Sequence, residues 1–295
     1  MLPCRVILYP VDFSLRCRQM APSVADVGRK FCSEIILLHA LDPLPVVCYA
    51  PEFSYFAPAE FIEKQRQTMG AELEEFAESA FPPLEFKGMP VKCVIVTGEP
   101  ADSIIAQAER NHVDLIMMPT HGRGLFRRLL IGSVTSKVLN DTTCPVWTNA
   151  HCERFPVRPD HQIRRILCAI DTGIENVHVL RVAADLAHEY DAQVHLVHAL
   201  AGQEAYYENT IDPGLRQFLM RTAREQVNAL QNEAGTNWEL CVKAAPVEDA
   251  VRQVAEDYGA DLAIIGRGRP KEHFEPMRMH STAIIRESPC PVLSV

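Results

Sequence analysis

The sequence predicts an α/β protein built from two tandem doubly wound domains, each with a five-stranded parallel sheet and helices on both faces. Two observations support this fold class. Short β-branched runs alternate with amphipathic helical patterns along the whole chain, which is typical of a Rossmann-like parallel sheet covered on both sides. The chain also repeats itself with a period of about half its 295 residues, so the repeated unit has the size of a domain.

The duplication is visible in matched residues along the two halves of the chain. Asp12 to Leu41 aligns without a gap with Asp171 to Leu200. The matched groups are Asp12 with Asp171, Ala25-Asp26 with Ala184-Asp185, His39-Ala40-Leu41 with His198-Ala199-Leu200, Asp114-Leu115 with Asp261-Leu262, and Cys144-Pro145-Val146 with Cys290-Pro291-Val292. We therefore predict a first domain at residues 1–148, a linker at 149–162 and a second domain at 163–295. The linker contains prolines and charges and has no periodicity.

Each repeat is predicted to alternate strands and helices. The predicted strands are Val6–Val11, Glu34–Ala40, Val91–Val96, Leu115–Met118 and Val146–Thr148, then Arg165–Ile170, Gln193–Ala199, Trp238–Lys243, Leu262–Ile265 and Val292–Ser294. The predicted helices are Ser14–Lys30, Ala59–Ser79, Ala101–Asn111 and Ser133–Asn140, then Asn176–Tyr190, Leu215–Glu233, Val247–Tyr258 and Thr282–Glu287.

The last strand of each repeat is short and apolar, and an unpaired edge of that kind needs a partner. We expect these two strands to pair within the chain, and a homodimer of whole chains is compatible with that pairing.

Composition argues against several classes of function. Apolar residues make up 47% and charged residues 23% of the chain, as in ordinary globular proteins. A net charge of −9 argues against binding to nucleic acid or to anionic membranes. No apolar run approaches the ~20 residues of a membrane span, and no signal-peptide pattern opens the sequence. Ten scattered cysteines show no metal-binding spacing, and Cys93, Cys168 and Cys241 lie in apolar strand runs. We expect a reduced, cytoplasmic protein.

The stretch from Leu115 to Thr135 has the order expected of an anion-binding cradle. A buried strand leads through Pro119 into a glycine-containing loop, and Gly132-Ser133 then opens a helical pattern. Loop glycines and the unpaired N–H groups of a helix's first turn together favour phosphate binding. The stretch is neither a Walker A loop nor a Rossmann fingerprint. Taken alone, it is equally compatible with an ordinary loop between a strand and a helix.

These residues together resemble the universal stress protein family. The first strand ends in Asp12, the second in His39-Ala40-Leu41, and the fourth leads into Thr120-His121-Gly122, followed by nine residues and then Gly132-Ser133. A Cys-Pro-Val strand closes each repeat. The chain is identified as a tandem two-domain member, with the resemblance covering nearly everything outside the linker. The resemblance implies paired five-stranded domains and, in one branch of the family, ATP binding, with or without Mg²⁺.

The resemblance also implies which residues of the first repeat would hold the nucleotide: Asp12, Ala40, Pro119, His121, Gly122, Arg123, Gly132, Ser133 and Val134. Pro119 stands where the ATP-binding branch has its leading glycine, and proline has no N–H to donate. The second repeat restores that glycine as Gly266 but has Arg269 (or a shifted Gly268) at the second glycine. It also has Arg278-Met279 in place of Gly132-Ser133. We predict that the second repeat is degenerate as a nucleotide site.

Several candidate residues have a second interpretation. Asp12 and Asp171 either approach a nucleotide, directly or through a metal-bound water, or serve as helix N-caps. His39 and His198 lie inside strands, where a buried structural histidine is more common than a general base. Arg123, Arg127 and Arg128 either attract phosphate or are solvated loop charges, and Leu44–Tyr55 is either a lid or a packed loop.

Three functions remain compatible with the sequence. The first is a cytoplasmic stress-response or signalling module that binds ATP or another adenine nucleotide in its first domain and acts through protein partners. The second is an enzyme, a slow ATPase or a nucleotidyl transferase, although no catalytic constellation is visible. The third is a scaffold that binds partners and no nucleotide. The presence of Gly122, Gly132 and Ser133 favours the first function.

Overall fold

The computed structural model describes residues 4–41, 59–81, 89–121, 131–150, 163–200, 213–267 and 277–295. The chain divides into two compact units, one within residues 4–144 and one made mainly of residues 145–295. The linker at 149–162 lies almost entirely outside the described residues, so the predicted domain boundaries remain predictions.

Strands and helices alternate in both units, as expected. The first unit contains β1 (Val6–Pro10), α1 (Leu15–Phe31), β2 (Glu34–Leu41), α2 (Ala59–Ala80), β3 (Val91–Thr97), α3 (Pro100–Arg110), β4 (Leu115–Pro119) and α4 (Ser133–Asp141). The second contains β5 (Val146–Asn149), β6 (Arg165–Ala169), α5 (Asn176–Tyr190), β7 (Gln193–Ala199), α6 (Pro213–Ala234), β8 (Glu239–Lys243), α7 (Val247–Tyr258), β9 (Leu262–Ile265), α8 (Met277–Glu287) and β10 (Val292–Ser294).

The sheets have the strand order of a doubly wound fold. In the first unit the order is β3-β2-β1-β4 and all pairs are parallel. In the second unit five parallel strands run in the order β10-β9-β6-β7-β8. Helices cover both faces, with α1 packed on α2, α3 on α4, α5 on α6, and α7 on α8. In each unit the strand order reverses beside the first strand of the repeat, and the carboxyl edge at that point is where such folds bind ligands.

The fifth strand of the first repeat, β5, pairs with the last strand of the second. The pairing is antiparallel, with Trp147 opposite Leu293. Two buried hydroxyls reinforce it, because Thr148 donates to the carbonyl of Val292 (3.3 Å) and Ser294 donates to the carbonyl of Val146 (3.2 Å). The predicted pairing of these two strands is therefore observed. As a result β5 lies in the same compact unit as the second repeat.

A matched pair of aspartates ties each first strand to its neighbour at the amino edge of the sheet. Asp114 accepts hydrogen bonds from the N–H groups of Arg5 (2.8 Å) and Val6 (3.0 Å). Asp261 does the same for Arg164 (2.9 Å) and Arg165 (3.0 Å). These aspartates therefore hold strand register, at the edge opposite to Asp12 and Asp171.

The last helix begins earlier than the sequence pattern predicts. Its first turn starts at Met277, whereas the periodicity placed the start at Thr282. Arg278 and Met279 therefore lie inside a helix. The error arises because the residues just ahead of Thr282 show no clear apolar 3.6-residue period, and single-sequence patterns locate helix ends least reliably.

The described cysteines are free thiols, and four of the eight are buried. Burial raises the pKa of Cys168 to about 12, and burial likewise raises the pKa of Cys17 to about 11. Cys93 differs from expectation, because it lies on an exposed position of β3. Within the described residues, no helix is long and apolar enough to cross a membrane.

Thiol labelling is expected to distinguish the exposed cysteines from the buried ones. At about pH 8, near the ordinary thiol pKa, iodoacetamide should alkylate the exposed Cys32 of the folded protein and leave Cys168 unmodified, because Cys168 is both inaccessible and protonated. Peptide mass spectrometry gives the extent of alkylation at each cysteine. As a control, denaturation in urea should make the extent of alkylation equal at Cys32 and Cys168. Equal rates at Cys32 and Cys168 in the native protein would contradict the buried placement.

Candidate functional site

The exit of β1 forms the first wall of the candidate site. β1 ends at Pro10, and the N–H of Val11 still donates to the carbonyl of Leu38 (2.8 Å). Asp12 is half-buried, and its Oδ1 accepts a hydrogen bond from the N–H of Ser14 (3.0 Å). Ser14 is the N-cap of α1, because its hydroxyl accepts from the N–H of Cys17 (3.2 Å). Asp12 therefore stabilises the turn ahead of the cap, and its interpretation as the N-cap is wrong.

Phe13, between Asp12 and Ser14, adopts a left-handed backbone conformation with φ of 60°. This conformation is rare for a bulky side chain and costs free energy. Packing compensates, since the buried ring lies 4.8 Å from the His39 ring and meets Phe76 edge-on at 6.3 Å. The strained residue thereby sets the direction in which the chain leaves Asp12. No sequence signal indicated it.

The two strand histidines have the structural role that the sequence favoured. His39 Nδ1 lies 2.6 Å from the carbonyl of Val11, and His198 Nδ1 lies 3.0 Å from the carbonyl of Ile170. A carbonyl oxygen only accepts hydrogen bonds, so the proton is assigned to Nδ1 in both rings. Each histidine therefore ties the second strand of its repeat to the end of the first strand.

Ala40 lies at the carboxyl end of β2, where its backbone faces the candidate site. Leu38 directs its carbonyl towards β1, and Leu41 accepts from Gly98 on the opposite side, next to β3. Because successive residues of a strand alternate in direction, the N–H and C=O of Ala40 point to the side of β1. β1 has already ended there, which leaves backbone groups directed at the crevice. Because such a contact is made by backbone atoms, the residue type at position 40 does not reveal it.

The fourth strand and the fourth helix form the second wall. Pro119 is the last residue of β4, and its carbonyl accepts a hydrogen bond from the hydroxyl of Thr135 (3.1 Å). Thr120 is buried, and its carbonyl accepts from the N–H of Gly132 (2.8 Å). These two bonds hold the start of α4 directly against the end of β4. Thr135 was not among the predicted site residues, since its role depends on a contact across the loop.

Gly132 is the N-cap of α4 and carries no side chain that would satisfy the first turn. Its φ of −61° is available to every residue, so positive φ is not the reason for glycine here. Space is the reason, because a Cβ on Gly132 would lie 3.2 Å from the carbonyl oxygen of Thr120. Ser133 is exposed and Val134 is half-buried in the first turn. The N–H groups of that turn have no partners within the helix.

His121 is the last described residue before the glycine loop. Its Nδ1 lies 2.9 Å from the hydroxyl of Thr120. The structure therefore brings together five of the predicted residues at the carboxyl ends of β1 and β4: Asp12, Pro119, His121, Gly132 and Ser133. Val134 belongs to the same helical turn and Ala40 to the neighbouring strand. Gly122 and Arg123 lie outside the described residues, as do Arg127, Arg128 and Leu44–Tyr55.

Lys137, one turn further along α4, links this helix to the start of α3. Its ammonium group lies 2.6 Å from Asp102 Oδ1 and 3.5 Å from Glu99 Oε2. The hydrogen bond to Asp102 is the main reason why the pKa of Lys137 is raised. Lys137 therefore helps to orient α4 from the outside. Among the described residues, no group of three His, Cys, Asp or Glu side chains is placed to hold a metal ion.

In the second repeat, the start of α5 packs closely on the end of β9. Asn176 of α5 is buried, and its side chain accepts from the N–H of Asp171 (3.4 Å) and donates to the carbonyl of Gly173 (3.1 Å). A Cβ on Gly266, after β9, would lie 3.1 Å from Val179 Cγ2 and 3.6 Å from Asn176 Oδ1. The second copy of the strand-helix turn thus packs on the glycine that the sequence comparison singled out. Gly268 and Arg269 lie outside the described residues.

These features define a duplicated doubly wound α/β protein with a candidate anion-binding cradle at the carboxyl edge of its first repeat. The chain belongs to the universal stress protein family, whose sequence profile matches residues 3–148 and 162–295. A universal stress protein of Methanocaldococcus jannaschii, MJ0577, is 31% identical over 148 residues, which is 48% of this chain and 91% of the relative. The matches to single-domain relatives thus cover about one repeat.

Solved structures agree on the fold. A universal stress protein of Archaeoglobus fulgidus has a TM-score of 0.67 at 19% identity, covering 99% of this chain and 98% of its own. That likeness concerns the fold. A further member was solved in complex with cAMP and shares 16% identity over 50% of this chain, with a TM-score of 0.35. So distant a likeness identifies no ligand for this chain.

Proposed function

We propose that the first repeat binds ATP at the carboxyl edge between β1 and β4, with the phosphates at the N-terminus of α4. One observation carries this proposal: Gly132 caps α4 without a side chain and lies against the end of β4, so a phosphate can approach the backbone closely. The uncapped N–H groups of the first turn and the helix dipole both favour an anion there.

The residues around the cradle fit an adenine nucleotide. The backbone of Ala40 is directed at the crevice from β2, where it can hydrogen-bond the adenine edge. Asp12 lies at the end of β1, within the part of the fold where a ribose or a Mg²⁺-bound water would sit. Pro119 donates nothing, and its carbonyl is already bound by Thr135, so the donors must come from α4 and the glycine loop.

The chain is proposed to act as a cytoplasmic stress-response module that signals through protein partners according to nucleotide occupancy. Hydrolysis is at most slow in this proposal, because Nδ1 of His39 is held by the carbonyl of Val11 and Nδ1 of His121 by the hydroxyl of Thr120, so neither ring is assigned the role of general base. A scaffold that binds no nucleotide is the alternative. Mass spectrometry of protein purified without added nucleotide distinguishes the two functions. Co-purified ATP, ADP or AMP would support nucleotide binding. Absence of these nucleotides, together with no binding of added ATP, would support the scaffold.

Calorimetric titration with ATP is expected to give about one site per chain. The physical reason is the contrast between the repeats, because Arg278-Met279 stand in place of Gly132-Ser133 and Val179 packs on Gly266. A stoichiometry of two would contradict this asymmetry. Titration with adenosine separates the contribution of the phosphates from that of the nucleoside. Without phosphates, binding should be weaker but the stoichiometry should still be about one per chain.

A further inference from the structure

Helices α2 and α6 carry opposite charges at corresponding places in the two repeats. Each has 22 residues and connects the second strand of its repeat to the third. The C-terminal half of α2 contains no Lys or Arg and four glutamates: Glu72, Glu74, Glu75 and Glu78. The basic half of α6, taken as its first 12 residues (Pro213–Arg224), contains no Asp or Glu and three arginines: Arg216, Arg221 and Arg224.

Both sets of charges are unfavourable for the helix that carries them. Glu78 in the last turn of α2 and Arg216 in the first turn of α6 oppose the helix dipole, whose effect is confined to the terminal turns. Glu74 and Glu78 are four residues apart, and Arg221 and Arg224 are three apart, so like charges meet on one face. A charge pattern that destabilises both isolated helices indicates that something else compensates it.

The two patches are exposed and poorly neutralised within the described part of the chain. The three arginines are exposed, and so are Glu74, Glu75 and Glu78. Arg221 lies 5.8 Å from the Phe218 ring and 3.8 Å from Glu225, but Arg216, Arg224 and the four glutamates form no ion pair with any described residue. Leu215 and Phe218, 49% and 52% exposed, add apolar surface beside the arginines.

We propose that this chain associates with a second copy of itself through these patches, the acidic half of α2 of one molecule docking on the basic half of α6 of another. A second copy is favoured over an unrelated partner because the chain itself carries both complementary charges on helices of equal length. Antiparallel docking brings the negative end of one helix dipole to the positive end of the other. The contact joins two different patches, so reciprocal docking closes a dimer and a single contact extends the assembly.

Sedimentation velocity of the full chain tests the proposal. Self-association should be evident at about 50 mM NaCl and at least roughly tenfold weaker at about 500 mM, because salt screens exposed charges. Arg221→Glu/Arg224→Glu and Glu75→Arg/Glu78→Arg should each be monomeric at concentrations where the parent associates. The control matched to the arginine reversal is Arg5→Glu/Arg110→Glu, which makes the same change in net charge at exposed positions outside both helices and should associate like the parent.

Mixing the two charge-reversed proteins provides the decisive result. Each repels its own copies, yet the reversed α6 of one complements the reversed α2 of the other, so the equimolar mixture should associate. Circular dichroism confirms that each variant is folded. The proposal is overturned if the parent is monomeric at low salt, if association is insensitive to the reversals, or if the mixture stays monomeric.

Discussion

Replacing Gly132 with Arg is expected to weaken ATP binding by roughly a hundredfold or more while the fold is retained. The new Cβ would lie 3.2 Å from the Thr120 carbonyl oxygen, so α4 has to move away from the end of β4, and the long side chain enters the space proposed for phosphate. The positive charge attracts the anion, but a cradle of backbone donors acts only at close range. Losing two charge-assisted hydrogen bonds at about 1.5–3 kcal/mol each corresponds to that loss of affinity.

Calorimetric titration measures the effect, and Gly70→Arg is the matched control. Gly70 lies in α2, where an added Cβ meets nothing within 4 Å, so the same charge is introduced without a clash. This control should bind ATP like the parent. Adenosine should bind the parent and Gly132→Arg about equally, because it has no phosphate. If Gly132→Arg binds ATP as tightly as the parent, the phosphates are not at α4 and the proposed site is wrong.

Replacing Gln231 with Leu is expected to destabilise the second unit by about 2–4 kcal/mol, since a buried polar group left unpaired costs about 1–3 kcal/mol. Gln231 is only 3% exposed at the end of α6. Its amide donates to the carbonyl of Trp238 (3.2 Å) and accepts from the N–H of the same residue (2.6 Å). Leucine fills a similar volume but leaves both backbone groups of Trp238 without these partners. Urea denaturation followed by circular dichroism gives the change in the free energy of unfolding.

Two further substitutions test whether the effect comes from the buried position of Gln231. Gln226→Leu, on an exposed position of the same helix, should change stability by less than about 0.5 kcal/mol. Gln231→Glu introduces a buried carboxyl, whose folded-state pKa should rise above its unfolded value because burial disfavours the charged form. Its protonated form can still donate to Trp238, so the variant should be closest to the parent at low pH and lose stability as pH rises through the folded pKa. A pH-independent difference would show that Gln231 is not held in this buried network.

The sequence by itself determined the fold class, the duplication and most helix and strand boundaries. These properties follow from local periodicity, since β4 and β9 bury continuous apolar runs while α1 and α7 bury one face each. The helix start at Ser133 was equally predictable, because Gly132 ends an irregular segment and a 3.6-residue pattern follows. Pairing of Val146–Asn149 with Val292–Ser294 also followed, since both strands are short, apolar and terminal.

Tertiary structure alone decided what these residues contact. The left-handed Phe13 is possible only because His39 and Phe76 pack on its ring, and both are distant in sequence. Thr135 reaches Pro119 across 16 residues, and this contact, together with the bond from Gly132, places α4 against β4. The packing of α5 on Gly266 depends on Val179 and Asn176, which no motif marked. Such contacts arise from the folded path of the chain, and local patterns of residue type contain no information about them.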